Sequence, residues 1–384
     1  MKIILFFTRS VSLEDWCNSG LLEREKLVYE RFLINGIASK VYWFTYGSND
    51  LKISNNLKKN GILHKNISIQ QMPFVFNLPL IGSWIYSIFI PFFHYRVFSR
   101  ADIIKTNQLD GGWSAVIAKL IYKKPLVVRC GYIPSKLLSE VGGISRLRMF
   151  LTSMYEKYVL LYSDICIVAS VQDMNYIDKK YLIPNAKVKI INNYVDTDKF
   201  FPFDNKKTKI ENRLIFVGRL SYQKNIPSLL YALKELNLGL DVVGDGELIK
   251  EIKALAKSLF IDVKMLGRVS NAKLPYLLNQ YSYFILPSFS EGMPKVLLEA
   301  MSCGLVCIGT PVSGIIEIIQ NGKNGILSSG TDVNSIKLAI NIAIRNNNEK
   351  IKTLARKTIV SSFSLNKYVE KESEVFMTIV DNRL

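Results

Sequence analysis

Short apolar runs that alternate with amphipathic stretches constrain the fold of this chain more than any other feature. In the first half these runs occupy residues 3–7, 39–44, 103–104, 125–129, 165–169 and 187–191. In the second half they occupy residues 214–217, 240–243, 262–266, 283–286 and 306–308. Strands that alternate with helices form a parallel sheet that helices cover on both faces. The pattern therefore predicts an α/β fold.

The pattern occurs twice, and a polar stretch with a proline, residues 200–212, separates the two halves. At 384 residues the chain is longer than a single hydrophobic core usually supports, so two domains are expected. Domain boundaries tend to fall in polar, proline-containing linkers. We place the boundary between residues 205 and 206, so that the first domain comprises residues 1–205.

The formal net charge of +18 indicates an anionic partner, and the distribution of that charge narrows the choice. The excess of Lys and Arg is spread evenly over both halves, with no basic tail and no block of like charges. A nucleic-acid-binding protein concentrates its basic residues in a patch or stripe. We therefore predict no nucleic-acid partner, and anionic substrates and anionic membrane surfaces remain.

Cysteine and histidine usage excludes two enzyme classes. The five cysteines are odd in number and form no Cys-x-x-Cys pair, which suits a reducing cytosol. His64 and His94 are the only histidines, and they provide almost no material for a zinc site or a Ser-His-Asp triad. The apolar run at the amino terminus is too short for a signal-peptide core, so we interpret it as a buried strand. These features predict a cytoplasmic protein.

Residues 66–95 contain no Lys, Arg, Asp or Glu and are rich in aromatic residues. A spanning helix, a helix in the membrane interface and plain core are three interpretations of such a segment. Pro79, Gly82 and Pro91 interrupt it, which argues against a spanning helix. The amphipathic stretch at residues 135–160 adds Lys136, Arg146 and Arg148. We expect both stretches to dock the first domain on an anionic membrane.

A glycine turn with two cations follows the strand at residues 214–217 and contains Gly218, Arg219 and Lys224. The carboxyl ends of parallel strands are where such folds bind ligands. Two cations at this edge suit a diphosphate, although each taken singly also fits a solvated surface charge.

A second glycine turn, with Gly244 and Gly246, follows the strand at residues 240–243. Glycines there allow close approach of the backbone to a ligand. A purely structural strand-to-helix turn is the alternative.

The third motif, residues 284–304, carries the most weight. A strand leads into a loop with Glu291, and Pro294 suits the first position of the helix that follows. The amino terminus of that helix offers free backbone amides to an anion. Glu299 lies among apolar residues of the helix, so its carboxylate requires a polar partner. Ribose hydroxyls would serve, and a half-exposed carboxylate on a core helix is the alternative.

The order and spacing of these motifs resemble the retaining GT-B glycosyltransferases of family four, the glycosyl transferases group 1. Glu291 and Glu299, eight residues apart, follow a Gly-Arg-Leu-x3-Lys element and a Gly-x-Gly element. The resemblance covers residues 160–330 well and the first 150 residues in outline. It implies two facing Rossmann-like domains with parallel sheets and a cleft between them. It also implies a donor domain at residues 206–365, and a C-terminal helix at residues 366–384 that returns to the acceptor domain.

The resemblance also implies a role for individual residues of the donor site. Arg219 and Lys224 would contact the donor diphosphate, with Glu291 near the transferred sugar, and these three are the predicted catalytic residues. Glu299 would bind the ribose. The other donor-binding candidates are Gly218, Gly244, Gly246, Gly292, Met293 and Pro294.

On the acceptor side the resemblance is incomplete. Family members often have a histidine after the strand at residues 125–129, and this chain has none there. Arg129 and the backbone of Gly131 are the candidates for its place, and Gly20 is a further candidate.

We therefore predict transfer of a hexose-type sugar from a UDP- or GDP-sugar to an acceptor that is lipid-linked or a growing surface polysaccharide. The resemblance implies retention of configuration, no cofactor beyond the nucleotide sugar and no metal. An inactive GT-B subunit and a polyanion- or membrane-binding protein are the alternatives. An inactive subunit would have lost Lys224 or Glu291, and both are present. A polyanion- or membrane-binding protein leaves the motifs of residues 214–304 unexplained.

Asp196-Thr197-Asp198 is similar to an Asp-x-Asp metal motif. Its surroundings predict an interdomain turn, for which Asx-type hydrogen bonding suffices.

Overall fold

The computed structural model describes residues 1–79, 81–141, 145–203 and 209–381. Leu80 of the uncharged segment, residues 142–144 of the amphipathic stretch, residues 204–208 of the predicted linker and residues 382–384 lie outside the described residues. The chain forms two compact units. The first comprises Met1–Ile191 and the chain from Val369 onward, and the second comprises Asn192–Tyr368.

The division after Ile191 lies earlier in the chain than the predicted boundary at residues 205 and 206. Hydrogen bonds explain the difference, because they tie the segment after Ile191 to the second unit. Ser302 Oγ donates to the Phe200 carbonyl at 2.6 Å, and Asn279 Nδ2 donates to the Phe201 carbonyl at 2.9 Å. The polar composition of this segment suggested a linker outside both hydrophobic cores, whereas its hydrogen bonds tie it to the second unit.

A seven-stranded parallel sheet forms the centre of the first unit. Its strands are β1 Lys2–Phe6, β2 Lys40–Phe44, β3 Ile67–Gln70, β4 Ile103–Thr106, β5 Leu126–Cys130, β6 Ile165–Val168 and β7 Val188–Ile190. They lie in the order β3-β2-β1-β4-β5-β6-β7. The helices between them are α1 Leu13–Ser19, α2 Leu22–Ile34, α3 Asp50–Lys59, α4 Gly82–Phe93, α5 Tyr95–Arg100, α6 Gly112–Tyr122, α7 Pro134–Val141, α8 Arg146–Tyr162 and α9 Val171–Tyr181.

A six-stranded parallel sheet forms the centre of the second unit. Its strands are β8 Arg213–Val217, β9 Gly239–Val243, β10 Val263–Gly267, β11 Tyr283–Leu286, β12 Val306–Gly309 and β13 Ile326–Leu327. They lie in the order β10-β9-β8-β11-β12-β13. The helices are α10 Ile226–Leu233, α11 Ile249–Ser258, α12 Leu274–Leu278, α13 Lys295–Ser302, α14 Ser313–Ile316, α15 Val333–Arg345 and α16 Glu349–Ser362, and α17 Leu365–Asp381 then runs into the first unit.

The predicted α/β fold with two parallel sheets is confirmed, and every predicted strand is present. The pattern missed two strands, β3 and β13, which both lie at a sheet edge. β13 has only two residues, and β3 is a half-buried strand of four residues at the start of the uncharged segment. Short edge strands carry too few apolar residues to stand out from their surroundings.

The interior strands are buried on both faces, and β4 includes a charged exception. Lys105 is 1% exposed, and its Nζ lies 2.6 Å from the carboxylate of Glu372 on α17. Burial lowers the pKa of Lys105, and the Glu372 carboxylate opposes that shift. A buried charge needs such a partner, so this ion pair couples α17 to the sheet of the first unit.

The uncharged segment folds into β3, a 3₁₀ turn at Phe74–Phe76 and α4. Within the described ranges, no helix combines the length and the apolarity needed to cross a membrane. Part of α4 belongs to the core, since Tyr86 and Ile90 are fully buried. Its other side exposes large apolar residues, among them Phe92 and Phe93.

Candidate functional site

The turn after β8 is tied to the loop after β11, at the carboxyl edge of the second sheet. Lys224 ends the 3₁₀ turn Tyr222–Lys224, and Asn225 adopts φ 54° before α10 begins. Asn225 Nδ2 donates to the carbonyls of Pro287 and Thr331 at 3.1 and 2.9 Å. These bonds hold the two predicted donor-binding segments beside each other.

The structure brings together Lys224 and Glu291, two of the three predicted catalytic residues. Lys224 Nζ lies 2.5 Å from Glu291 Oε1, and the Ser288 hydroxyl donates to the same oxygen at 2.6 Å. Both charged side chains are mostly buried, at 15% and 7% exposure. A charge-assisted bond in such surroundings fixes the ammonium group in position. Ser288 is a member of this site that the sequence did not predict, because no motif marks it.

Arg219, the third predicted catalytic residue, is paired elsewhere. Its Nη2 lies 3.2 Å from Glu247 Oε2, and the two side chains are 73% and 56% exposed. An ion pair this exposed contributes little to stability, so an anionic ligand can replace it at low cost.

The loop after β9 packs so closely against the loop after β8 that only glycine fits at positions 244 and 246. A Cβ at Gly244, where φ is +133°, would lie 1.9 Å from the Gly218 carbonyl oxygen, and one at Gly246 would lie 2.2 Å from the Leu220 carbonyl oxygen. The Leu220 N–H donates to the Asp245 carbonyl at 2.9 Å in the same interface. Loop packing alone therefore accounts for both glycines, and this supports their interpretation as a structural turn.

The loop before α13 is held at its carbonyl groups. Asn193 Nδ2 donates to the Met293 carbonyl at 2.8 Å, and an added Cβ at Gly314 would lie 1.9 Å from the Gly292 carbonyl oxygen. Pro294 was predicted at the first helical position, but it occupies the N-cap position, because α13 begins one residue later at Lys295. The amino terminus of this eight-residue helix follows the Glu291 loop directly.

Glu299 is 4% exposed on α13, and its carboxylate has a polar partner as required. Asn271 Nδ2 lies 3.4 Å from Glu299 Oε1, and Lys199 Nζ donates to Asn271 Oδ1 at 2.6 Å. Both residues are far from Glu299 in the sequence, so local patterns gave no sign of them. Burial and the nearby Glu299 carboxylate raise the pKa of Cys303 to about 12, which keeps this thiol protonated at neutral pH.

The acceptor-side candidates all have partners within the first unit. Arg129 on β5 is buried, and its Nη1 lies 3.3 Å from Glu25 Oε2 on α2. The Gly131 N–H donates to Gln108 Oε1 at 2.9 Å. Gly20 adopts φ +73° and ends α1. These contacts give each residue a structural role.

The predicted turn at Asp196-Thr197-Asp198 is confirmed, since the Asp198 N–H donates to Asp196 Oδ1 at 3.1 Å in an Asx turn. In the part of the chain that the structure describes, no cluster of three or more His, Cys, Asp or Glu side chains is arranged to hold a metal ion.

Comparison with known proteins identifies the family. The sequence profile of the glycosyl transferases group 1 matches residues 197–358, which include the whole Lys224–Glu291 site. The chain is 32% identical over 312 residues to the UDP-Gal:α-D-GlcNAc-diphosphoundecaprenol α-1,3-galactosyltransferase of Escherichia coli, covering 74% of this chain and 77% of the relative.

A second relative extends over more of the chain. It is a GalNAc-α-(1→4)-GalNAc-α-(1→3)-diNAcBac-PP-undecaprenol α-1,4-N-acetyl-D-galactosaminyltransferase of Campylobacter jejuni. The two sequences are 25% identical, over 86% of this chain and 87% of the relative.

Solved structures share the fold at lower sequence identity. HepE from Anabaena, crystallised in complex with UDP, superposes with a TM-score of 0.76 and 18% identity over 98% of this chain and all of its own. The match to the family profile, the 32% identity with the Escherichia coli relative and the fold shared with HepE show that the chain belongs to the glycosyl transferases group 1 family as a GT-B glycosyltransferase that uses a nucleotide sugar.

Proposed function

We propose that the protein transfers a hexose or N-acetylhexosamine from a UDP-sugar to a saccharide carried on a polyprenyl diphosphate, with retention of configuration and without a metal. The observation that carries this proposal is the ion pair of Lys224 and Glu291 at the carboxyl edge of the second sheet. The names of the two bacterial relatives support a diphosphoundecaprenol acceptor, and the HepE complex supports UDP as the leaving nucleotide.

The leaving group explains the choice of residues. Negative charge grows on the diphosphate as the bond to the sugar breaks, and preorganised cations stabilise it by a few kcal/mol each. Lys224 is such a cation because Glu291, which accepts a hydrogen bond from Ser288, holds it in place before the donor arrives. Arg219 would add a second positive charge after leaving its exposed partner Glu247. Two cations supply the charge that a metal provides in other transferases, so no metal is required.

The remaining donor contacts follow from the same edge of the sheet. The amino terminus of α13 would bind a phosphate oxygen through its free N–H groups. Glu299, further along α13, would accept hydrogen bonds from the ribose hydroxyls, in a position that Asn271 maintains. One helix would thus contact both the diphosphate and the ribose of the donor.

A donor and acceptor assay tests this proposal. We expect UDP-sugars at 100 times their dissociation constant to raise the free energy of unfolding by about 2.7 kcal/mol. GDP-sugars at the same concentration should raise it by less. Sugar from the bound donor should then be transferred to α-GlcNAc-diphosphoundecaprenol in detergent, equally with and without EDTA. Product with the opposite anomeric configuration would contradict retention, and loss of transfer in EDTA would contradict metal independence.

We also infer that the first unit docks on an anionic membrane surface at the cytoplasmic face. α4, α6 and α8 lie side by side on the sheet, because α6 packs against both of the others. Their outer side exposes an apolar face, defined by Ile85, Ile88, Phe89, Phe92 and Phe93 of α4, Leu120 of α6, and Leu147, Phe150, Leu151, Met154 and Leu161 of α8. Exposed basic residues of α8 border this face, namely Arg146, Arg148 and Lys157.

An apolar face with a basic border is typical of proteins that lie in a membrane interface. Soluble monomers rarely expose so many large apolar side chains on adjacent helices. Each basic residue near an anionic surface contributes about 1 kcal/mol to binding. A lipid-linked acceptor would be reached from this position.

We expect the protein to sediment with anionic liposomes and more weakly with neutral ones, and salt should reduce the difference. Arg146→Gln with Arg148→Gln should weaken binding to anionic liposomes by about tenfold or more, since two charges near the surface are lost. Phe89→Ser should weaken binding to both. Leu338→Ser is the matched control, because Leu338 is exposed on α15 of the second unit. Equal binding of all variants to both liposomes would contradict the docking surface.

A further inference from the structure

The first unit has its own ligand-binding edge, where the strand order reverses. β1 lies between β2, which follows it in the chain, and β4, which comes later. In open parallel sheets, ligands bind outside the carboxyl ends of the strands at such a switch point. The loop after β1 contains Arg9, and the loop after β4 contains Asp110. An added Cβ at Gly111 would lie 3.2 Å from the backbone nitrogen of Arg9, so the two loops touch at this point.

Four side chains meet at this point, and we call them the Arg9 cluster: Arg9, Trp84, Trp113 and Asp110. The Arg9 guanidinium carbon lies 3.9 Å from the centre of the Trp84 ring, and Arg9 Nε lies 3.6 Å from Asp110 Oδ1. The rings of Trp84 and Trp113 are stacked, with centroids 4.9 Å apart and planes inclined by 5°. Two indole rings, a cation and a carboxylate therefore share one partly open site.

Packing of the core does not account for this cluster. The other two tryptophans, Trp16 and Trp43, are buried to 1% and 0% exposure, whereas Trp84 is 48% exposed. Within the described part of the chain, Arg9 Nε is buried and makes no hydrogen bond, because its approach to Asp110 is too long for one. A buried donor without a hydrogen bond is costly unless a ligand supplies the acceptor.

We propose that the Arg9 cluster binds the terminal sugar of the acceptor. The apolar side of a pyranose ring packs on the exposed part of the Trp84 indole, and sugar hydroxyls bond to Asp110 and Arg9. Aromatic walls with a few oriented polar groups are the usual composition of small-molecule sites. This inference rests on the proposed function, and it assigns the acceptor site to residues that no sequence motif marked.

The charges favour a sugar over other parts of the acceptor. A bare phosphate would meet the Asp110 carboxylate beside Arg9, and a polyprenyl chain would offer neither charged group a hydrogen bond. A sugar hydroxyl can donate to the carboxylate and accept from the guanidinium at once. Trp84 also belongs to α4, so the cluster borders the apolar face that would hold the lipid.

Fluorescence titration tests the site without any turnover. The protein has four tryptophans, and two of them lie in the cluster. The probe is α-GlcNAc-diphosphoundecaprenol in detergent, compared with undecaprenyl diphosphate, which has no sugar. We expect the wild type to bind the sugar-bearing probe more tightly. Asp110→Asn and Trp84→Ala should each raise its dissociation constant about tenfold or more, and should leave binding of the sugar-free lipid unchanged.

Matched controls remove the effects of charge and of the apolar face. Asp164 is a carboxylate of the first unit that is ion-paired with Lys119 at 2.8 Å and exposed to a similar extent as Asp110. Phe92 is an exposed aromatic residue on α4, the helix that carries Trp84. Asp164→Asn should bind both lipids like the wild type, and Phe92→Ala should change the affinities for the sugar-bearing and the sugar-free lipid by the same factor.

The outcomes separate this site from the proposed function. Wild-type affinity of Asp110→Asn and Trp84→Ala for the sugar-bearing probe would overturn the site, as would equal affinity of the wild type for both lipids. If the protein bound the sugar through Asp110 but transferred nothing to it, the transfer reaction would be wrong and the site would stand. Unchanged stabilisation by UDP-sugars in both variants would show that the donor site is intact.

Discussion

Lys224→Ala is expected to lower kcat by about 10²-fold or more with a saturating nucleotide sugar. Its ammonium group is fixed by Glu291 at 2.5 Å, and the charge that it stabilises grows only as the diphosphate leaves. Arg219→Ala should likewise act mainly on kcat. Steady-state rates of nucleotide release, measured with the acceptor present, give the required constants.

Glu299→Ala provides the contrast. Ribose contacts are much the same in the ground state and in the transition state, so this variant should mainly raise the KM for the donor. Glu299 is buried on α13, and its loss can also act through stability, so circular dichroism must first show that the variant is folded. A drop in kcat alone would contradict a ribose role.

Lys234→Ala is the control for Lys224, because it removes an exposed lysine that follows α10 directly. Its kcat should stay within about twofold of the wild type. If folded Lys224→Ala also kept near-normal turnover, the assignment of this lysine to the leaving group would be wrong.

Glu372→Leu is expected to lower the free energy of unfolding of the first unit by about 3–5 kcal/mol. The substitution leaves the ammonium group of Lys105 buried at 1% exposure without its carboxylate partner. All four tryptophans lie in the first unit, so tryptophan fluorescence during urea unfolding reports on this unit. Glu374→Leu is the control, since Glu374 is an exposed residue of the same helix, and its effect should be below about 0.5 kcal/mol.

The dependence on pH identifies the cause of this loss. Without Glu372, the pKa of Lys105 in the folded protein should fall further below its value in the unfolded chain. Between these two values the unfolded chain binds a proton that the folded protein does not, so the free energy of unfolding rises with pH. The deficit of Glu372→Leu should therefore shrink as the pH rises from neutral toward about 10. Lys105→Met combined with Glu372→Leu should regain most of the stability and lose this dependence.

Features that depend on residues close together in the sequence could be predicted from it. The alternation of apolar runs with amphipathic stretches predicted both parallel sheets, because each strand and each helix carries its own periodicity. The loops with Lys224 and Glu291 could also be assigned to one edge, since the carboxyl ends of parallel strands lie together. The short edge strands β3 and β13 contain too few apolar residues to show a periodic pattern, so the sequence did not predict them.

Only the tertiary structure decided which side chains meet. The hydrogen bonds that link Lys199 through Asn271 to Glu299 and the loop packing at Gly244 depend on strand order, which periodicity does not encode. Strand order likewise brings Arg9 and Asp110 together across a switch point, and it places Lys105 against a helix from the far end of the chain. Local patterns determine which elements form, whereas contacts between residues distant in the chain determine what each site contains.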